Sequence, residues 1–283
     1  MQKPRGWQQW SLVAAGLVCV VVLLILPLVI IFAKAFSAGW AAVAHNLADP
    51  DMVHAIQLTL FTAAITVPVN LVFGILLAWC VTHYEFRGRK LLVTLIDIPY
   101  ATSPVVAGLC YLVIYGSESA LGAWFSAHDI QLMFAWPGIV MVTIFVTSPF
   151  VARILIPLMQ AQGSDEEQAA LTLGAGGWQI FRRVTLPNIK WALLYGVVIT
   201  NARAVGEFGA VSVVSGAIRG QTVNLPLLVE QLNDDYKTVG AFTAAGLLAC
   251  MALLTLVLKT VMEWSQSRRE QGQGAAARLG VRH

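Results

Sequence analysis

Long apolar stretches separated by shorter polar segments run along most of the chain. The pattern predicts six membrane-spanning helices, at about residues 12–36, 57–81, 91–115, 136–158, 188–214 and 238–262. Each stretch is long enough to cross a hydrocarbon core, which takes about 20 helical residues. We expect the third helix to bend at Pro99 and Pro104, because a proline within a helix removes a backbone donor.

The longest polar interruption in the second half of the chain is residues 164–187, SDEEQAALTLGAGGWQIFRRVTLP, here called the coupling loop. Ser164 and Glu167 have the spacing of a capping box, which predicts a helix start. Gly174 predicts its end, since glycine supplies the dihedral angles of a tight turn. A second short helix then carries an apolar face formed by Trp178, Phe181 and Val184. Such an amphipathic helix pair is suited to docking in a groove of another protein.

The composition agrees with a protein that lies in a lipid bilayer. Hydrophobic residues make up 58% of the 283 positions and charged residues 12%, against about 25% charged residues in soluble domains. The net charge of +3 is too small to indicate a nucleic-acid partner. The four cysteines lie within apolar runs without paired spacing, so neither a disulfide framework nor a zinc site is expected.

The basic residues predict the orientation of the chain. Nine of them fall on one side of the predicted helices: Lys3, Arg5, Arg87, Arg89, Lys90, Arg182, Arg183, Arg268 and Arg269. The opposite loops offer only Lys34, Arg219 and Lys237. Because cytoplasmic loops carry the excess of lysine and arginine, both termini and the coupling loop are predicted to be cytoplasmic. The chain then divides into a cytoplasmic segment 1–11, a six-helix domain 12–262 and a polar cytoplasmic tail 263–283.

Two charged residues lie inside the predicted fifth helix. Arg203 and Glu207 are four residues apart and share one helix face. An unpaired charge in mid-membrane costs at least about 2.5 to 3.5 kcal/mol, so both must face protein or water. They form either an ion pair that locks helix packing or an anion path that Arg203 lines and Glu207 supports.

Two further segments leave alternatives open. Asp97, Thr102 and Ser103 on the bent third helix are candidates for the same path, although hydroxyls in membrane helices more often bond to backbone carbonyls. The outer loop, residues 216–237, has a leucine-rich patch after Pro226. That patch forms either a contact surface for a binding protein or a lid that packs on the bundle.

Catalytic motifs are missing from the sequence. It has no HExxH, no GxSxG followed by a plausible base and no GxxxxGK[ST] phosphate loop. We therefore predict a chain that is not an enzyme and binds neither a metal nor a cofactor. If transport is driven by ATP, the energy must come from a partner chain that grips the coupling loop.

The coupling loop resembles the EAA loop of permeases of binding-protein-dependent type I ABC importers. One position departs from that pattern, because Gln168 stands where the family has glutamate, directly after Glu166 and Glu167. The resemblance implies that the loop docks on an ATPase. The expected coupling residues are Glu167, Gln168, Ala169, Ala170, Gly174, Ala175, Trp178, Phe181, Arg182, Leu186 and Pro187.

Three other stretches resemble the sulfate and thiosulfate permeases of the CysW type. They are residues 97–108, residues 200–216 with the IRGQTVNLP that follows, and residues 235–245; the resemblance covers about Leu12 to Trp264. It implies a subunit of the bacterial inner membrane that passes sulfate and thiosulfate from periplasm to cytoplasm. The implied partners are a second permease of the CysT type, two copies of an ATPase that holds ATP and Mg, and a periplasmic sulfate/thiosulfate-binding protein.

Other functions remain open on the sequence alone. Permeases for molybdate or tungstate have a similar ARxxGEFGA element in helix five, so the oxyanion is not settled. An ion-coupled secondary transporter usually shows inverted repeats and more spans. Six predicted spans, no visible repeat and the EAA-like loop disfavour that class.

Overall fold

The computed structural model describes residues 6–280, with side chains for residues 10–262 and Trp264. Lys3 and Arg5, which contributed to the orientation argument, lie outside the described residues, as does the end of the tail at 281–283. All regular secondary structure in the described part is helical. The predicted all-α class is confirmed.

The helices are numbered α1 to α15 in chain order. The first half contains α1 (Gly6–Val20), α2 (Leu26–Ala35), α3 (Trp40–Leu47), α4 (Pro50–His83), α5 (Arg89–Ala101), α6 (Pro104–Tyr115) and α7 (Ala120–Ser126). The second half contains α8 (Trp136–Thr147), α9 (Pro149–Gln162), α10 (Asp165–Thr172), α11 (Gly177–Ile180), α12 (Leu186–Val205), α13 (Gly209–Val214), α14 (Leu225–Asp234) and α15 (Thr238–Gly280). Two π-helical turns, Val21–Ile25 and Phe181–Thr185, join α1 to α2 and α11 to α12.

Four helical stretches within residues 6–280 are long and apolar enough to cross a membrane. They are Trp10–Ala38, Pro50–His83, Trp136–Gln162 and Thr238–Met262. The bent pair α5 and α6 makes a fifth if it is counted as one span. These stretches correspond to five of the six predicted spans.

The predicted fifth helix, residues 188–214, is not continuous. Helix α12 ends at Val205 and α13 begins only at Gly209. The carboxylate of Glu207 accepts a hydrogen bond from the Ala210 N–H at 2.9 Å, which starts a new helix rather than continuing the old one. The prediction of a single unbroken helix here was wrong, and six complete spans stay a prediction.

Two other helix boundaries lie at prolines. Helix α4 begins at Pro50 instead of near residue 57, because the Asp49 side chain accepts a hydrogen bond from the Asp51 N–H at 2.9 Å and so caps the helix. Helices α5 and α6 meet at 105°, a sharper bend than a kink. Ser103 is extended there, with ψ of 133°, since a residue before proline avoids the helical region, and Thr102 is extended as well, with ψ of 138°.

The outer-loop leucines pack on the bundle. Leu225, Leu227 and Leu228 of α14 are fully buried, in a cluster with Met52 of α4 and Ala244 of α15. Of the two alternatives for this patch, the packed lid is the one observed.

Helices α4, α9 and α12 meet at the centre of the bundle around the side chain of Val151. A Cβ atom added at Gly74 of α4 would lie 2.5 Å from Val151 Cβ of α9. A Cβ atom added at Gly196 of α12 would lie 3.6 Å from Val151 Cγ2, an ordinary contact. Small residues allow such close helix approach in membrane proteins. Glycine is therefore required at position 74 but not at position 196.

This difference gives a matched pair of variants. We expect Gly74→Ala to destabilise the fold by about 1 to 3 kcal/mol through overpacking against Val151. Gly196→Ala should be neutral or slightly stabilising, because alanine is the better helix former. The thermal midpoint in mild detergent measures both, and equal midpoints for the two variants would contradict the packing described.

Candidate coupling loop and translocation path

The coupling loop forms two short helices joined by a glycine turn, as predicted. Helix α10 ends at Thr172, and Gly174 follows with φ of +82°, a conformation that L side chains rarely adopt. Helix α11 starts after Gly176 and runs through a π-helical turn directly into α12. Pro187 therefore does not end the second helix; it lies in the first turn of α12.

The predicted capping box does not form. Ser164 makes no side-chain cap at the start of α10; its hydroxyl accepts a hydrogen bond from the Gln168 side chain at 2.8 Å. Glu167 instead turns away from the helix start, toward α4 and the beginning of α12. The capping prediction failed because a tertiary partner competed with the local one.

Glu167 binds groups from two other segments. His83 Nε2, at the end of α4, lies 2.5 Å from Glu167 Oε2. The buried Thr185 hydroxyl donates to the other carboxylate oxygen. The Glu167 side chain is consequently only 16% exposed. Sequence analysis did not find His83 as a partner, because the two residues are far apart in the chain and share no local pattern.

Three large apolar side chains of the coupling loop are exposed. Leu171, Leu173 and Trp178 are 63%, 88% and 71% exposed. Phe181 stacks on Trp178, with ring centroids 5.5 Å apart, and contacts Trp79 of α4 at 5.2 Å. The other expected coupling residues divide by exposure: Gln168, Ala169, Gly174, Arg182 and Pro187 are exposed, and Ala170, Ala175 and Leu186 are half-buried.

Arg203 and Glu207 form the expected ion pair, with Arg203 Nη1 2.5 Å from Glu207 Oε2. The pair is asymmetric, since the carboxylate side chain is 1% exposed and the guanidinium side chain 32%. Glu207 Oε1 accepts from the Ala210 N–H, whereas Oε2 has the arginine at ion-pair distance without hydrogen-bond geometry. The pair therefore presents a partly exposed cation that is backed by a buried anion.

Asp97 has a partner that sequence analysis missed. Its Oδ1 atom accepts from Arg153 Nε of α9 at 2.7 Å, and the guanidinium lies 4.2 Å from the Tyr100 ring centroid. Thr102 donates to the Ile98 carbonyl of its own helix at 2.8 Å, and Ser103 caps α6 without a side-chain hydrogen bond. Arg153 lies in an apolar predicted span, and that placement was the available signal.

The two helix breaks lie against each other. A Cβ atom added at Gly209 would be 3.3 Å from Pro104 Cβ and from Val105 Cγ2. The bend between α5 and α6 thus adjoins the break between α12 and α13. Pro104, which directly follows Ser103, therefore lies against Gly209, which is two residues after Glu207.

Residues 70–271 match the family described as the binding-protein-dependent transport system inner membrane component, over more than half of the chain. The chain is a member of this family. The permease is 61% identical, over 95% of its length and 92% of the relative's, to the sulfate transport system permease protein CysW of Escherichia coli K12. It is 36% identical to CysT of the same strain, over 84% of the permease and 87% of CysT. The resemblance to the CysW type is confirmed.

The fold of the permease is shared with a solved transporter. It superposes with a TM-score of 0.75 on a chain from the crystal structure of a bacterial ABC transporter involved in the import of the acidic polysaccharide alginate. The match covers 93% of the permease and 96% of that chain at 18% identity, so it demonstrates a common fold and nothing about substrate. The permease is thus an inner membrane component of a transport system.

The asymmetry of the ion pair predicts unequal mutational effects. Arg203→Met leaves the buried Glu207 carboxylate without its counter-charge. Because breaking a buried ion pair costs about 3 to 5 kcal/mol, the yield of folded protein in detergent should fall. Glu207→Gln keeps an acceptor for the Ala210 N–H and leaves a partly exposed arginine, so its yield should stay near wild type. Equal losses in the two variants would contradict the asymmetry.

The double variant Arg203→Met/Glu207→Gln should recover the yield, because no buried charge remains. Transport by that variant separates the two interpretations of the pair. Recovered yield with lost transport assigns Arg203 to the path, whereas recovery of both makes the pair structural.

Proposed function

We propose that this chain is the permease subunit of an ATP-driven importer that carries sulfate, and thiosulfate with it, from periplasm to cytoplasm. The observation that supports the proposal is its 61% identity over 95% of the chain with the sulfate permease CysW of Escherichia coli K12. Its identity to CysT of that strain is 36%, which favours the CysW role in a pair of unlike permeases. The proposed location is the bacterial inner membrane, with six spans and both termini in the cytoplasm.

The proposed partners are a second permease of the CysT type, two copies of an ABC ATPase and a periplasmic sulfate/thiosulfate-binding protein. The exposed Leu171, Leu173 and Trp178 support docking of the coupling loop on the ATPase, because an apolar patch of this kind on a polar loop marks an interaction surface. ATP and Mg belong to the ATPase, and the permease performs no hydrolysis. Gln168 contributes shape rather than charge to the contact.

The proposed path uses weak cationic sites. Arg203 and Arg153 each expose part of a guanidinium while a carboxylate neutralises most of its charge. A doubly charged oxyanion is attracted to such a group without being held tightly, and conduction requires binding weak enough for release. Asp97 holds Arg153 in place, and Thr102 and Ser103 complete the polar surface of the bend.

Uptake of labelled oxyanions tests the substrate. In cells lacking this chain, sulfate uptake should vanish, return when the chain is restored, and be inhibited by excess thiosulfate. Intact sulfate uptake with loss of molybdate uptake would move the assignment to the alternative oxyanion. If neither uptake changes, the oxyanion assignment is wrong.

The turn of the coupling loop gives a test of ATPase docking. Gly174→Val places a β-branched residue at φ of +82°, which costs roughly 1 to 2 kcal/mol and should reduce co-purified ATPase about tenfold. Gly176 has ordinary dihedral angles and open space around it, so Gly176→Val is the matched control and should keep the ATPase. Equal recovery of ATPase with both variants would contradict docking through this turn.

A further inference from the structure

The first helix of the coupling loop is attached to the permease mainly by polar contacts. Helix α10 has no buried residue of its own. Glycines with positive φ flank it, Gly163 at +70° and Gly174 at +82°. Glycine has few steric restrictions, so the backbone at each end of α10 can rotate easily. A movement imposed on α10 by a partner would be lost in these turns unless side chains tie the helix to the bundle.

Glu167 supplies this tie, here called the clamp, together with His83 and Thr185. Both of its carboxylate oxygens are engaged within the chain, by His83 Nε2 at 2.5 Å and by the Thr185 hydroxyl. The neighbouring Glu166 reinforces the link, since it accepts from the Asn188 side chain at 2.5 Å. The clamp therefore joins α10 to the end of α4 and to the beginning of α12.

His83 is itself held in a fixed orientation. Its ring stacks on Trp79, with centroids 4.5 Å apart and planes 14° from parallel. Its Nδ1 atom lies 2.9 Å from the Thr82 hydroxyl, which is in turn 2.7 Å from the Ala78 carbonyl. The imidazole is therefore a rigid part of α4, and a force on Glu167 reaches the helix directly.

Helix α4 reaches the opposite end of the molecule without a break. Its 34 residues span roughly 50 Å at 1.5 Å per residue. Near its start, His54 Nε2 lies 3.0 Å from the Gln221 carbonyl, and the Thr59 hydroxyl accepts from the Leu225 N–H at 2.8 Å. One helix thus contacts the coupling loop at one end and the outer loop at the other.

We propose that His83 is a positioning residue for transport, which ties Glu167 of the coupling loop to α4 so that ATPase-driven movement of α10 reaches the outer loop. The inference rests on the proposed function. It assigns Glu167 to contacts within the permease, and it leaves the apolar outward surface of the coupling loop to the ATPase.

The test uses the whole transporter in proteoliposomes with its binding protein. In His83→Ala the ATPase should still co-purify, while the number of ATP molecules hydrolysed per oxyanion imported should rise about tenfold, the effect expected from losing one hydrogen bond to a charged group. His83→Gln, whose amide nitrogen can replace Nε2, should restore the ratio. His128→Ala is the control, since His128 is exposed and, among the described contacts, its side chain meets only the adjacent Trp124, with Nδ1 2.8 Å from the Trp124 carbonyl and the two ring centroids 4.4 Å apart.

A second measurement does not depend on the transported anion. Hydrogen exchange of residues 165–172 in the purified complex should rise about tenfold in His83→Ala and return to the wild-type rate in His83→Gln. If His83→Ala does not fold, Thr185→Val removes the other donor at similar volume and should raise the same exchange. If the wild-type transporter imports no sulfate while these exchange changes are present in the variants, the substrate assignment is overturned and the clamp stands.

Three results would overturn the clamp. One is an unchanged transport ratio and unchanged exchange in His83→Ala; another is a His83→Gln variant that behaves as His83→Ala. The third is loss of co-purified ATPase in Glu167→Ala but not in His83→Ala, which would place the carboxylate in the partner contact. In a double-mutant cycle, His83→Ala/Glu167→Ala should be no worse than Glu167→Ala alone, because Glu167→Ala already removes the contact with His83.

Discussion

The buried carboxylate of Glu207 is the interaction on which the arrangement of the second half of the bundle depends. A helix break inside an apolar bundle exposes backbone groups that water cannot satisfy. Glu207 Oε1 satisfies the Ala210 N–H, and the Glu207 carbonyl accepts from the Asn224 side chain at 2.8 Å. Arg203 then compensates the charge. One residue thus allows the break, starts α13 and anchors the segment that leads into α14.

A few buried polar contacts also fix the position of α4 relative to its neighbours. Asn70, fully buried in α4, donates to the Thr147 hydroxyl of α8 at 2.6 Å, and Thr59 accepts from the backbone of α14. Gly74 brings α9 into contact with the same helix. Because polar groups in an apolar interior are costly when unpaired, each such contact selects one register between helices. Apolar packing alone permits several registers.

The two surfaces of the coupling loop have different physical roles. The inward surface is polar and is bound to the bundle through Glu166 and Glu167. The outward surface carries exposed Leu171, Leu173 and Trp178. A loop that transmits movement needs both a firm attachment to its own chain and a complementary surface for its partner. In this chain, different residues of the same short loop meet the two requirements.

The sequence by itself determined the helical class, the approximate position of five spans, the bend before Pro104 and the turn at Gly174. These features depend on hydrophobic runs and on residues whose backbone preferences are local, so they can be read from neighbouring positions. It also identified the Arg203–Glu207 pair, because four-residue spacing and the cost of charge in lipid both require a partner. The motif in the coupling loop pointed to the permease family for the same local reason.

Only the tertiary structure decided where Glu167, Asp97 and the end of α12 would lie. Local sequence rules predict that Glu167 takes part in a capping box, but in the structure it binds His83 and Thr185 instead. Asp97 pairs with Arg153 from a different span. Helix α12 ends just before Glu207, whose carboxylate accepts from the Ala210 N–H in the first turn of α13. In each case the partner of a polar group is determined by which residues the helix packing brings next to it, and that packing cannot be read from neighbouring positions in the sequence.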